Sequence, residues 1–179
     1  MKLYRLKPSD FHKNYVIKDM DYEFNKTFED VDKLKNDWGK LELKKAGGGK
    51  NAKILFCFYP RGILIEEDLL PIFEKHFEND NVEFLPLDDG KNTWYILHCC
   101  ELADVKHTIE ENLLGDKYYF DKTEFANNHY ENKNVFKVLG RGVIDVIEVE
   151  LYTEKMIDFI NGFENVGICF EEAGGVTKE

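Results

Sequence analysis

The chain has 179 residues, and 24 lysines and arginines stand against 35 aspartates and glutamates, which gives a formal net charge of −11. This length suffices for one domain with a sizeable core, and 14 Phe, 9 Tyr and 2 Trp exclude a disordered acidic tail. The charge repels nucleic acid and anionic membranes, and it favours either a basic partner or solubility alone.

Cysteine usage and the N-terminal residues indicate the compartment. Two of the four cysteines are adjacent and none forms a CxxC pair, so neither a disulfide framework nor a recognisable zinc ligand set is present. The opening "MKLYRLKPSDF" lacks an apolar signal region, and the longest apolar run, 54–59, is too short to span a bilayer. We therefore expect a soluble cytoplasmic protein.

The first 50 residues predict a strand and a polar arm. "MKLYRL" alternates apolar and charged residues and is stopped by a turn at Pro8 and Ser9. The arm, 18–50, contains a strand-like "KLELK" and a flexible link at Gly47–Gly49. A phosphate loop at "GGGK" is disfavoured because Asn51 stands where Ser or Thr is required. We expect a single domain, 1–179, with its main core in 51–179.

Residues 52–87 predict an apolar strand, a turn, a strand at 63–65, a helix and a strand at 82–87. Pro71 fits this helix only in the first turn, which makes Asp68 the expected N-cap. Strands also follow at "WYILHCC", "KYYFDK" and "VFKVLG".

The C-terminal segment has the same layout as residues 63–87. It predicts a strand at 143–151, an N-cap at Thr153, a helix ending at Gly162 and a strand at 166–170. An offset of 86 positions sets Ile63 on Val149 and the "FEN" at 77–79 on the "FEN" at 163–165. We therefore predict an α+β fold with a mostly antiparallel sheet, a few helices and two similar strand-helix-strand units.

The stretch "WYILHCCELADVKH", residues 94–107, is the main candidate for chemistry. Side chains alternate along a strand, so His98 and Cys100 share one face while Cys99 lies on the other. A metal site would need further ligands from elsewhere, and a thiol nucleophile would need an activating base that the sequence does not show. We expect the cysteines to be hydrophobic filling and predict neither a metal nor a cofactor.

Acidic clusters are the remaining feature. They can serve as caps, turns and solvated faces, or as a surface that steers a basic partner. The candidate partner-binding residues are Glu66, Glu67, Asp68, Asp88, Asp89, Glu110, Glu111, Glu171 and Glu172.

The order of these segments resembles a bacterial family. "MKLYRL", "GILIEEDLLPIFEKHFENDNVEFLPL", "TWYILHCCELADVKH", "YYFDKTEF", "NVFKVLG" and "VELYTEKMIDFINGFENVGICFEE" together are similar to immunity family eleven of the polymorphic toxin systems. The likeness covers most of 51–179 and is weaker over 18–50. His98 stands where that family often has Asn, and Cys99-Cys100 where it has aliphatic residues, which supports a packing role for the thiols.

The resemblance implies a non-enzymatic cytoplasmic protein that binds and neutralises a cognate, basic toxin domain. Two other hypotheses stay open: a small metal- or thiol-dependent enzyme centred on His98, Cys99 and Cys100, and a generic acidic adaptor. The oligomeric state is left open.

Overall fold

The computed structural model describes residues 1–18, 27–113, 115–141 and 146–177. The described residues include the short α-helices α1 (Leu70–His76), α2 (Lys122–Asn127) and α3 (Glu154–Asn161), and residues 27–29 are also helical. The strands are β1 (Lys2–Pro8), β2 (Asn14–Ile17), β3 (Leu41–Lys45), β4 (Ile54–Phe58), β5 (Arg61–Glu66), β6 (Val82–Asp88), β7 (Thr93–Cys99), β8 (His107–Glu110), β9 (Lys117–Phe120), β10 (Val135–Arg141), β11 (Val146–Thr153) and β12 (Ile168–Val176).

The strands form a closed barrel and a six-stranded sheet. The barrel has the order β2-β3-β6-β7-β5-β4, and the sheet has the order β10-β11-β1-β12-β9-β8. Only the pairs β2–β4, β3–β6 and β9–β12 are parallel among the described pairs. The predicted α+β fold with mostly antiparallel sheets is confirmed.

The buried hydrophobic residues in the described part of the chain form three clusters. One lies inside the barrel and includes Leu43, Leu64 and Ile96, and a second lies on the inner face of the sheet around Phe120 and Phe136. The third lies between the barrel and the sheet, where α1 and α3 pack together. Side chains that alternate along a strand can therefore be buried on either face. One face contributes to the core of the barrel or of the sheet, and the other to the layer between them.

The proposed division into an N-terminal arm and a main core needs correction. The strands β1, β2 and β3 take places within the sheet and the barrel, and the side chains of Leu3, Ile17, Phe28 and Leu43 are buried. Apolar residues such as Phe28 and Leu43 point inward although charges surround them in the sequence, so a charged stretch still supplies core strands. Residues 19–26 of the arm lie outside the described part of the chain.

Helix starts differ in detail from the prediction. Pro71 does lie in the first turn of α1, but Asp68 belongs to a preceding 3₁₀ turn and pairs with Lys53 instead of capping the helix. Thr153 occupies the N-cap position of α3, yet its hydroxyl donates to the carbonyl of Lys133 at 2.6 Å. The strand predicted at 143–151 is described from 146 onward.

The barrel and the sheet repeat one strand order. Reading the barrel as β4-β5-β7-β6-β3-β2 and the sheet as β10-β11-β1-β12-β9-β8, each of the five neighbouring pairs has the same parallel or antiparallel sense. The N-terminal strand β1 takes in the sheet the place that β7 takes in the barrel. The similarity therefore extends beyond the two predicted strand-helix-strand units, and along the chain the order of the sheet strands is a circular permutation of that of the barrel strands.

Aromatic contacts between α1 and α3 show the same relation. The rings of Phe73 and Phe159 lie 5.0 Å apart, and the cross contacts Phe73–Phe163 and Phe77–Phe159 are 5.7 and 6.3 Å. Phe159 and Phe163 lie 86 positions after Phe73 and Phe77, so the two cross contacts are equivalent. An approximate two-fold axis between the helices requires this equivalence. The packing of the two units on each other is thus nearly isologous.

The register refines the offset in the first strand of each unit. Tyr95 on β7 and Tyr4 on β1 are counterparts, because they pair with Pro86 and Glu172, which are 86 positions apart. Tyr95 also pairs with Ile65 and Tyr4 with Tyr152, so Tyr152 is the counterpart of Ile65 at an offset of 87. One position separates this from the predicted 86. The exposed fractions agree with the corrected register, since the counterparts Phe58 and Leu139 are 48% and 49% exposed.

Candidate functional site

One end of the barrel gathers five of the nine predicted acidic residues. Strands β5 and β6 run parallel to each other on either side of β7, and Glu66 and Leu87 both pair with Trp94. Both strands therefore end at the same level, which brings Glu66, Glu67 and Asp68 to the same end as Asp88 and Asp89. We call this set of five the barrel-end acids.

A cavity of about 780 Å³ opens at this end. Its apolar wall consists of inward-facing barrel residues such as Leu43, Leu55 and Trp94. Its polar rim carries Glu66 and Asp89 together with the lysines Lys13, Lys45, Lys53 and Lys91. The rim is of mixed charge, whereas Glu67 and Asp88 lie outside the cavity lining, so an approaching partner meets charges of both signs.

Asp89 has a structural role at this end. Its carboxylate accepts bonds from the amides of Lys91 and Asn92 at 2.9 and 2.8 Å and from the indole of Trp94 at 3.1 Å. Burial raises the pKa of Asp89, but these bonds, with one from the Tyr15 hydroxyl, outweigh burial and lower the pKa overall. The carboxylate fixes the β6–β7 turn in its ionised form.

The other four predicted acids lie on the sheet. Glu171 and Glu172 are on β12, where Glu172 pairs with Lys2 at 2.6 Å and Glu171 lies 3.1 Å from Lys7. Glu110 is the last residue of β8 and lies opposite Lys117 on β9, and Glu111 follows it. The structure therefore does not bring all nine residues together on one surface.

The opposite end of the barrel interior holds a polar cluster. Glu83 and His98 face each other across β6 and β7, and Cys100 follows two residues after His98 on the same side. The exposed fractions are 9% for Glu83, 0% for His98 and 6% for Cys100. We call these three residues the Glu-His-Cys cluster. Within the described residues, it is the group whose side chains could together hold a metal ion.

The arm closes over this cluster. The ring of Phe28 lies 4.8 Å from the His98 ring, and the carbonyl of Asp30 lies 3.0 Å from His98 Nε2. The backbone amides of Leu34 and Lys35 donate to the Glu83 carboxylate, the former at 2.7 Å. The arm thereby shields the cluster and fixes two of its three side chains.

The thiols of the adjacent cysteines lie on different faces, as alternation predicts. Cys99 points into the layer between the barrel and the sheet, and Cys100 lies 3.5 Å from His98 Nδ1. Burial raises the pKa of the Cys100 thiol to about 11 and that of Cys99 well above its usual value. Both thiols are thus protonated near neutral pH, which opposes thiolate nucleophilicity.

The sequence reasoning missed Glu83 as a neighbour of His98. The pairing depends on the β6–β7 register, which the local pattern does not reveal. One signal was available: in "VEFLPL" Glu83 shares the strand face of Leu85 and Leu87, and an acid on an apolar face implies a buried polar partner.

Comparison of the chain with family models, curated proteins and solved structures yields no significant match. Among the described residues, no helix combines the length and the apolar character needed to cross a membrane.

Proposed function

We propose that this protein is a non-enzymatic immunity protein that binds a cognate, basic toxin domain in the cytoplasm and blocks it. The observation that supports this proposal best is the convergence of the barrel-end acids beside the cavity. Like charges held at and just beyond the ends of barrel strands steer a basic partner and select its orientation. The resemblance to immunity proteins and the net charge of −11 point the same way.

The lysines on the cavity rim add specificity to this surface. A uniformly basic partner would be repelled by Lys13, Lys45 and Lys91, so the cognate face must place acidic or neutral groups over the cavity and basic groups over Glu67 and Asp88. We therefore expect one particular basic protein to bind, and other basic proteins to bind weakly.

Growth rescue tests the proposal. The chain is co-expressed with the candidate toxin domain, to be sought in the gene immediately upstream, as wild type, as E66Q/E67Q/D88N, or as E110Q/E111Q/E172Q, which removes three charges on and beside the sheet. Asp68 and Asp89 are kept because the former pairs with Lys53 and the latter fixes a turn. We expect rescue by the wild type and the sheet variant, and weak rescue by the barrel-end variant.

Circular dichroism shows that each variant is folded before rescue is compared. Absence of rescue by the folded wild type would contradict the proposed function. Equal rescue by both variants would retain an immunity protein but move its binding surface away from the barrel end.

A further inference from the structure

The Glu-His-Cys cluster has an unusual arrangement of hydrogen-bonding groups. The Asp30 carbonyl can only accept, so His98 Nε2 carries a proton and the neutral ring has a lone pair on Nδ1. Nδ1 lies 3.4 Å from Glu83 Oε2, which is itself an acceptor that receives the amide of Leu34. Two acceptors therefore face each other in a buried site, and a positive centre between them would stabilise both.

Two of the three distances among these ligand atoms, both measured from His98 Nδ1, match those between ligands of one small cation. With zinc bond lengths of about 2.0–2.1 Å to N and O and about 2.3 Å to S, tetrahedral geometry places N and O about 3.3–3.4 Å apart and N and S about 3.5–3.6 Å apart. The observed separations are 3.4 Å for Nδ1–Oε2 and 3.5 Å for Nδ1–Sγ. All three ligand atoms lie within 4.8 Å of one another.

We propose that Glu83, His98 and Cys100 form a site for a divalent metal ion of the zinc type. The mixed oxygen, nitrogen and sulfur donors disfavour Mg²⁺ and Ca²⁺, which take oxygen ligands. The carbonyl on Nε2 and the two amides on Glu83 are the outer-shell contacts that orient ligands in metal sites. All of these contacts come from the arm, so the ion fixes the arm over the end of the barrel that lies opposite the barrel-end acids. This site is separate from the barrel-end surface and does not depend on the proposed function.

Binding replaces a proton at the thiol. The Cys100 S–H bond breaks, a sulfur–metal bond forms, and the proton leaves to solvent, so one proton is released per ion.

Adjacent cysteines provide matched variants. Tag-free wild type, C99A and C100A are titrated with Co²⁺, whose thiolate charge-transfer absorption reports a sulfur ligand, and then with Zn²⁺ as a competitor. We expect one equivalent of ion and the absorption band in the wild type and in C99A. In C100A we expect loss of the band and about 100-fold or weaker zinc affinity, since even outer-shell changes cost about 10–100-fold.

Absence of the band in the wild type, or its equal loss in both variants, would overturn the proposal. If C100A does not fold, the proposal is tested instead by measuring proton release when Zn²⁺ is added to the weakly buffered wild type. One proton per bound ion is expected, and no proton or no bound ion would mean that Cys100 simply donates its S–H to His98 within a metal-free cluster.

Discussion

The barrel and the sheet have the same strand order, but only the barrel is closed. In the barrel, β2 pairs with β4 and completes the ring. In the sheet, the matching strands β8 and β10 do not pair, and residues 101–105 lie beside β10 instead, where the amide of Ala103 donates to the carbonyl of Lys137 at 2.8 Å.

Because of this difference, equivalent positions in the barrel and in the sheet differ in burial. The sheet counterparts of Glu83, His98 and Cys100 are Cys169, Lys7 and Ser9, and none of these is buried. The barrel positions are enclosed because the ring is complete and because the arm between β2 and β3 covers its end. The sheet therefore serves as a comparison for the barrel. The two share one strand order, but the positions of the Glu-His-Cys cluster are buried in the barrel and their counterparts in the sheet are not.

The largest effect is expected where the two units meet. Phe73 is fully buried and contacts Phe159 and Phe163 of the other unit, so F73A leaves a cavity in the shared layer and should cost about 3–5 kcal/mol of unfolding free energy. Urea unfolding measures this loss. The control F11A, at a residue 73% exposed, should stay within about 0.5 kcal/mol. A loss below about 1 kcal/mol for F73A would show that the units are energetically independent.

A second prediction concerns how Lys137 holds the arm in place. Lys137 is the sheet counterpart of the apolar Phe56, and its ammonium donates to the carbonyls of Glu29 and Asp30 at 2.6 and 2.8 Å. K137M leaves both carbonyls without this donor and should cost about 2 kcal/mol.

Amide exchange locates the effect of K137M. Faster exchange is expected at Leu34 and Lys35, whose amides the Glu83 carboxylate protects. The control K122M removes an exposed lysine and should change neither stability nor exchange. Unchanged exchange in K137M would mean that Lys137 does not stabilise the arm.

Circular permutation tests the relation between the copies with a smaller expected effect. The amide of Val176 donates to the carbonyl of Met1 at 3.1 Å, so β12 and β1 can be joined as β6 and β7 are in the barrel. A chain joined by a short Gly-Ser linker and opened between Asp10 and Phe11 should fold within about 2 kcal/mol of the wild type, measured by urea unfolding. The control, opened between Ile96 and Leu97, interrupts the buried barrel strand β7 and should not fold. Loss of folding in the first permutant would contradict the permuted relation between the barrel and the sheet.

The smallest effect is an acid dependence at the barrel end. The pKa of Asp89 is lower in the folded protein than in the unfolded chain, so its stabilising effect is present above the unfolded pKa and is lost as pH falls through the folded value. The free energy of unfolding of the wild type should therefore decrease below about pH 4, and D89N should show a shallower decrease. Parallel pH profiles would mean that the turn does not depend on the ionised carboxylate.

Much of the fold could be predicted from local patterns. Alternation located β1, β6 and β7, and helical spacing located α1 and α3, because these signals depend on neighbours in sequence. Barrel closure could not be predicted, since the parallel pairs β2–β4 and β3–β6 join segments separated by long stretches of chain. The Glu-His-Cys cluster was half predicted: His98 and Cys100 follow from alternation, whereas Glu83 follows only from the register.

Association kinetics with the purified candidate toxin domain test the proposed binding surface most directly. The wild type, E66Q/E67Q/D88N and E110Q/E111Q/E172Q are compared at low and moderate salt. We predict that the barrel-end variant loses about tenfold in affinity, mainly through slower association, since each exposed ion pair contributes roughly 0.2–1 kcal/mol. The sheet variant should match the wild type. Equal affinities for the two variants at both salt concentrations, or no binding by the wild type, would contradict the account.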